Sequence, residues 1–84
     1  MSYQIRIKPS AEEEMRNLPR NLLRRVHRRI EMLGEDPYAR GIKKLVGGLG
    51  FRAAVGAYRI VYTIDDDSRV VEIVAVRHRR EVYR

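Results

Sequence analysis

The side chains in this 84-residue chain that could carry chemistry are cations and phenols. The chain has no cysteine, no Ser-His-Asp or Cys-His set, no phosphate-cradling glycine loop and no metal-ligand spacing, so neither a metal nor another cofactor is expected. What remains is a set of arginines, Lys43 and Lys44 on a glycine-rich stretch, His78 in a basic tail, and several tyrosines. Such an inventory suits cleavage of RNA by its own ribose 2′-hydroxyl. The nucleophile is then already in the substrate. The protein has only to orient it in line, help a proton leave, neutralise the pentacoordinate phosphorane and protonate the departing 5′-oxygen. Guanidinium and ammonium groups can neutralise, and a tyrosine or histidine can move protons. Tyrosine is a poor base at its ordinary pKa of roughly 10, so nearby cations would have to stabilise its phenolate. The tail around Tyr83 is dense in such cations. On the residues alone this chemistry is permitted and not singled out.

Bulk composition narrows the partner. Eighteen Lys and Arg against eleven Asp and Glu give a net charge of +7, which favours a polyanion: a phosphate backbone, an acidic protein segment or an anionic membrane surface. Arginine far outnumbers lysine, and its planar fork pairs phosphate or carboxylate in fixed geometry, which tilts the choice to RNA, DNA or an acidic peptide and away from a membrane. A basic chain that is merely well solvated is the plain alternative. The length suits one domain over residues 1–84, with room for one layer of helix on one sheet. Without cysteine, a bilayer-length apolar run or an apolar signal core, the expected setting is the reducing cytoplasm.

The elements that must position these residues follow in order. Tyr3-Gln4-Ile5-Arg6-Ile7 alternates as a half-buried strand. Ser10-Ala11-Glu12-Glu13 has the form of a capping box opening a short helix, with Ala11, Met15 and Leu18 on one face and Pro19 at its end. A second helix runs from Arg20 to about Gly34. Its apolar stripe is Leu23, Val26, Ile30 and Leu33, and Arg24, Arg25, Arg28 and Arg29 lie on the remaining arc, as a solvated or a contact face. His27 has no partner at metal spacing and reads as a surface or structural residue, and Gly34 with Pro37 closes the helix. Residues 38–50 read as irregular. Phe51–Val55, Tyr58–Ile64 and Arg69–Val76 read as strands joined by the turns Gly56-Ala57 and Asp65-Asp66-Asp67-Ser68, an antiparallel meander. The aspartates suit turn chemistry better than metal binding, and Tyr58 and Tyr62 run in phase with Ile60, as core residues do. The expected fold is α+β: two N-terminal helices on one face of a small, mostly antiparallel four-stranded sheet, whose other face bears arginines and is open to a partner.

Three blocks carry a more specific signal. They are Lys43-Lys44-Leu45-Val46-Gly47 with Phe51-Arg52, then Val55-Gly56-Ala57-Tyr58-Arg59-Ile60-Val61-Tyr62, and finally Arg77-His78-Arg79-Arg80-Glu81-Val82-Tyr83-Arg84. In combination, and with the element order across the whole chain, they resemble the RelE branch of the RelE/ParE toxin superfamily. The resemblance implies a type II toxin that cuts mRNA in the ribosomal A site without metal and is silenced by an acidic, RelB-like antitoxin that wraps it. It also implies roles for residues. Arg59 and Arg77 would stabilise the scissile phosphate, and Tyr83 would accept a proton or stack on a base. Lys43, Lys44 and Arg52 would be auxiliary phosphate contacts, and His78 and Arg79 would meet substrate from the tail. His78 has a second possible job, holding that tail in place. Two positions depart from the pattern: Ala54 and Ala57 stand where relatives often have a basic and an acidic residue. Tyr83 is expected to be incompletely ordered without a partner. Two other readings stand beside this one: a ParE-like toxin that blocks DNA gyrase without catalysis, and a basic RNA-binding module.

Overall fold

The computed structural model describes residues 2–82. The elements are β1 (Gln4–Ile7), α1 (Pro9–Arg16), α2 (Arg20–Glu35), β2 (Lys43–Lys44), a 3-10 turn (Val46–Gly48), β3 (Phe51–Val55), β4 (Tyr58–Asp65), β5 (Val70–His78) and α3 (Arg79–Val82). One sheet holds the strands in the order β1-β5-β4-β3-β2. β2 to β5 pair antiparallel in sequence, whereas β1 lies parallel to β5. The expected α+β class holds, with five strands instead of four. The extra one is the pair Lys43–Lys44, which locks onto Arg52 and Phe51 inside a stretch whose glycines masked any strand signal.

The helices differ from expectation at their ends. α1 starts at Pro9, one residue before Ser10, and has no side-chain cap, so the capping box is not formed. Proline already has the φ of a first helical turn and has no amide to satisfy there, so the helix starts at Pro9 and the Glu12 amide donates to the Lys8 carbonyl at 2.9 Å. Gly34 lies inside α2 and does not terminate it. A Cβ there would come within 3.3 Å of the Ile5 side chain, and the Gly34 carbonyl accepts the Tyr3 amide at 2.7 Å, so this glycine lets α2 dock closely on β1. Ala11 and Met15 of α1 and Val26, Ile30 and Leu33 of α2 are buried in one cluster with Ala53, Ile60, Tyr62, Val71, Ile73 and Val76 of the sheet. The buried Tyr62 hydroxyl donates to the Pro37 carbonyl at 2.7 Å, and burial raises its pKa.

A break in phase fixes which face β5 shows. Val61 pairs with Ala75 but Tyr62 pairs with Ile73, so the register skips Val74 as a β-bulge. Because a strand alternates faces with period two, Ile73 and Arg77 would otherwise share a face. The bulge turns Val76 into the core beside Ile73 and puts Arg77 on the opposite side. The last strand also runs two residues beyond the expected Val76 and starts after Arg69, which occupies the turn at φ 56 with its guanidinium over the Tyr3 ring.

The end of the sheet far from Arg77 is held by a carboxylate clasp. Asp65 caps the Asp67 and Ser68 amides of its own turn. Asp66 accepts the hydroxyls of Tyr3 and Tyr38, each at 2.5 Å. These bonds hold the Asp66 carboxyl below its ordinary range and push Tyr38 up to about 12. Tyr38 in turn packs edge-on against Phe51, so the clasp anchors the segment that leads into β2.

Two outcomes follow. With a lowered folded pKa, Asp66 contributes stability above roughly pH 4, lost as pH falls through the folded value. With a raised one, Tyr38 contributes below roughly pH 10, lost as pH rises through its folded value. The acid limb of a melting-temperature profile should therefore flatten in Asp66→Asn. Gly50 has φ 115, and a Cβ would sit 2.5 Å from the Tyr62 carbonyl oxygen. Gly50→Ala should cost about 2 kcal/mol and lower Tm by roughly 8–16 °C in calorimetry.

Candidate functional site

The face of the sheet turned away from the helices carries cations in two rows. In the first, Ala54, Arg59 and Arg77 stand directly across from one another on β3, β4 and β5. In the second, Lys43 stands across from Arg52, which lies two residues before Ala54 and so on the same side. Buried Ala53, Val55 and Ile60 alternate with these residues and face the core. Lys44 pairs with Phe51 and falls on the opposite face from Lys43. The structure thus brings Arg59, Arg77, Arg52 and Lys43 to one side and leaves Lys44 on the other.

Each arginine of the first row is held. Arg59 Nη1 donates to the carbonyls of Gly56 at 3.0 Å and Tyr58 at 2.8 Å, which folds the side chain towards the β3–β4 turn. Its Nε is buried without a hydrogen-bond partner, which costs free energy. Arg77 Nε donates to Glu14 Oε2 at 2.6 Å. The other oxygen of that carboxylate, Oε1, accepts the Val76 amide at 3.1 Å. Arg25 of α2 adds a cation at the same end, with its guanidinium 3.4 Å from where a Gly56 Cβ would lie.

The tail starts beside this row. His78 follows the bulge phase onto the core side, where its ring meets Tyr58 edge-on at 5.5 Å. Its Nδ1 accepts the Arg80 amide at 3.2 Å, so the proton of the neutral ring is on Nε2. The exposed Arg79 donates its own amide to the Ala57 carbonyl at 2.8 Å, which ties the start of α3 to the β3–β4 turn. His78 and Arg79 therefore orient the chain that enters the tail, and Tyr83 lies outside the described residues. Among the described residues, no group of three or more His, Cys, Asp or Glu could hold a metal ion, and no helix is long and apolar enough to cross a membrane.

Sequence reasoning missed Glu14. Its signal was available: Glu14 sits three residues after Ala11 and next to Met15, so it is a charged residue on the buried side of α1. The chemistry that this face supports is the binding of a phosphate between two fixed guanidiniums, with Arg52 and Lys43 extending the contact along a strand of nucleic acid.

Known proteins share this fold. The family model for the ParE toxin of the type II toxin-antitoxin system parDE matches residues 5–83. Toxin RelG of Mycobacterium tuberculosis is 32% identical over 90 residues, covering all of this chain and 99% of that one. The toxin-antitoxin complex RelBE2 of M. tuberculosis contains a chain that is 32% identical, with TM-score 0.85 over 94% of this chain and all of that chain. The isolated RelE toxin of E. coli is 25% identical, with TM-score 0.81 over 98% of this chain and 92% of that chain.

The site as built lacks a cation at Ala54, between Arg52 and Arg59. Ala54→Lys should steepen the salt dependence of binding to a short single-stranded RNA by about 0.7 in log–log slope, one added phosphate contact, as measured by fluorescence anisotropy.

Proposed function

The chain belongs to the RelE/ParE superfamily of type II toxin-antitoxin toxins, and on that premise we propose that it is a ribosome-dependent endoribonuclease that cuts mRNA in the A site. The observation that carries this reading is the direct pairing of Arg59 with Arg77 on the open face of the sheet. Two like charges in register weaken a strand pair, so their placement makes physical sense where a dianionic transition state is to be held between them.

In the proposed reaction the 2′-oxygen attacks phosphorus, the bond to the 5′-oxygen breaks, and the products are a 2′,3′-cyclic phosphate and a 5′-hydroxyl. Arg59 and Arg77 neutralise the phosphorane. Arg52, Lys43 and Lys44 grip neighbouring phosphates, and His78 and Arg79 fix the tail against substrate. Tyr83 takes the 2′-proton, or stacks on a base while the ribosome or the message supplies the proton path. The guanidiniums do the work a metal would otherwise do, so no metal is required. The setting is the cytoplasm, and the silencing partner is an acidic, RelB-like antitoxin that wraps the toxin. Relatives solved as RelE–RelB complexes support that partner.

A second reading has a specific observation in its favour. The matching family model is the ParE one, which suits a toxin that blocks DNA gyrase by binding alone.

On programmed ribosomes the purified protein should cleave mRNA to the two products named. Arg77→Ala should slow cutting by about 10²-fold or more while changing binding far less, and Tyr83→Phe should act in the same direction. Intact message together with inhibited DNA supercoiling would favour the gyrase reading.

A further inference from the structure

Resting on the assignment of Arg77 to the scissile phosphate, we infer that Glu14 is a positioning residue, which holds the Arg77 guanidinium at the angle the reaction needs. The pairing of β1 with β5 ends at Ile7 and Ile73, with one further bond from the Lys8 amide to the Ile73 carbonyl. Past that point α1 takes the place of β1 along the edge of β5. Glu14 reaches this edge from the buried side of α1, between Ala11 and Met15, and its carboxylate meets two successive residues of β5: the Val76 amide and the Arg77 Nε.

The two contacts have different consequences. The bond to Val76 satisfies an amide that no strand is present to pair, which is a structural task. The bond to Nε is directional. The Nε–H bond lies in the guanidinium plane, so an acceptor at 2.6 Å on a fixed helix orients the whole plane. It also occupies the inner edge of the fork and leaves the Nη1/Nη2 edge on the far side from Glu14, the edge that can take two phosphate oxygens together. Glu14 lies on the β1 side of β5, so the bond holds the guanidinium clear of the like charge of Arg59 on β4, and without it the flexible side chain would be free to take other rotamers. Glu14 is itself held by the Val76 amide, so it cannot follow Arg77 out to solvent.

The test separates positioning from edge capping. Glu14→Gln keeps a carbonyl oxygen for the Val76 amide and removes the charge that holds Nε. Single-turnover cleavage on programmed ribosomes is measured for the wild type, Glu14→Gln, Arg77→Ala and the double variant. Glu14→Gln should lower the maximal rate constant by about 10-fold, leave the half-saturating concentration within about twofold, and have no further effect in the Arg77→Ala background. A loss of the same size in that background would assign Glu14 a purely structural role and overturn the inference. So would a Glu14→Gln protein that cuts at the wild-type rate or faster while Arg77→Ala is slow. An independent readout needs neither a variant nor cleavage: the Arg77 Nε–H resonance in the wild-type protein should be shifted and slow to exchange with water. If it behaves like that of a solvated arginine, the inference fails whatever the ribosome assay gives. A shifted, protected resonance beside uncut message would instead leave the contact standing and overturn the nuclease assignment.

Discussion

The candidate site depends on two arginines that stand directly across from each other on adjacent strands, Arg59 on β4 and Arg77 on β5. Like charges in register cost a sheet some of its pairing energy, and long arginine side chains would ordinarily relieve that by swinging apart into water. Here each is tethered by a different device. Arg59 is folded onto the carbonyls of Gly56 and Tyr58, next to its own turn, whereas Arg77 is drawn to a carboxylate delivered by a helix. The tethers draw the two side chains to opposite sides, Arg59 towards the β3–β4 turn and Arg77 towards α1 at the other edge of β5.

Seen from that constraint, the less regular parts of the fold acquire reasons. The bulge at Val74 lets β5 contribute Ile73 and Val76 to the same core while Arg77 leaves on the other side. Gly34 allows α2 to close on the start of β1 at Tyr3 and Ile5, and Pro9 begins α1 two residues after β1 ends at Ile7. The start of α1 then decides whether Glu14 can reach the edge of β5. At the opposite end, the Asp66 clasp secures Tyr38, Tyr38 packs on Phe51, and Phe51 stacks on Tyr62 at 5.9 Å. That chain of contacts steadies β3, which carries Arg52 and pairs with β2, which carries Lys43.

Much of this was legible in the sequence, for identifiable reasons. The α2 stripe, the β3–β4 turn and the Asp65–Ser68 turn each rest on local periodicity or turn chemistry, and local signals survive folding when nothing distant competes with them. The blocks around Arg59 and Arg77 mark two residues that the strand register sets directly across from each other. What escaped was non-local. The run from Val70 to Val76 is apolar at every position but Glu72, so it contains no phase from which a bulge could be inferred. Lys43 and Lys44 gain strand geometry only from Arg52 and Phe51 beside them, and His78 was drawn to the Tyr58 ring by the same change of phase that released Arg77. Ser10 lost its expected cap to the proline before it, a competition between two valid local rules.

The physical contrast between a nuclease and a pure binder lies in how much precision each requires. A toxin that only occupies an enzyme's surface gains from positive charge, but that gain falls off slowly with distance and is tolerant of side-chain motion. Transition-state stabilisation is not tolerant, because displacement by about 1 Å can cost two orders of magnitude in rate. Glu14 reduces the net charge near Arg77 while fixing its geometry, an exchange that weakens long-range attraction and helps only where orientation matters. Ala54 favours neither, since it leaves out a charge without adding order. Between them, the ion pair is the more telling feature: an absent lysine lowers the efficiency of either kind of toxin, whereas a tethered guanidinium is of use to one that acts on a phosphate held in a defined place.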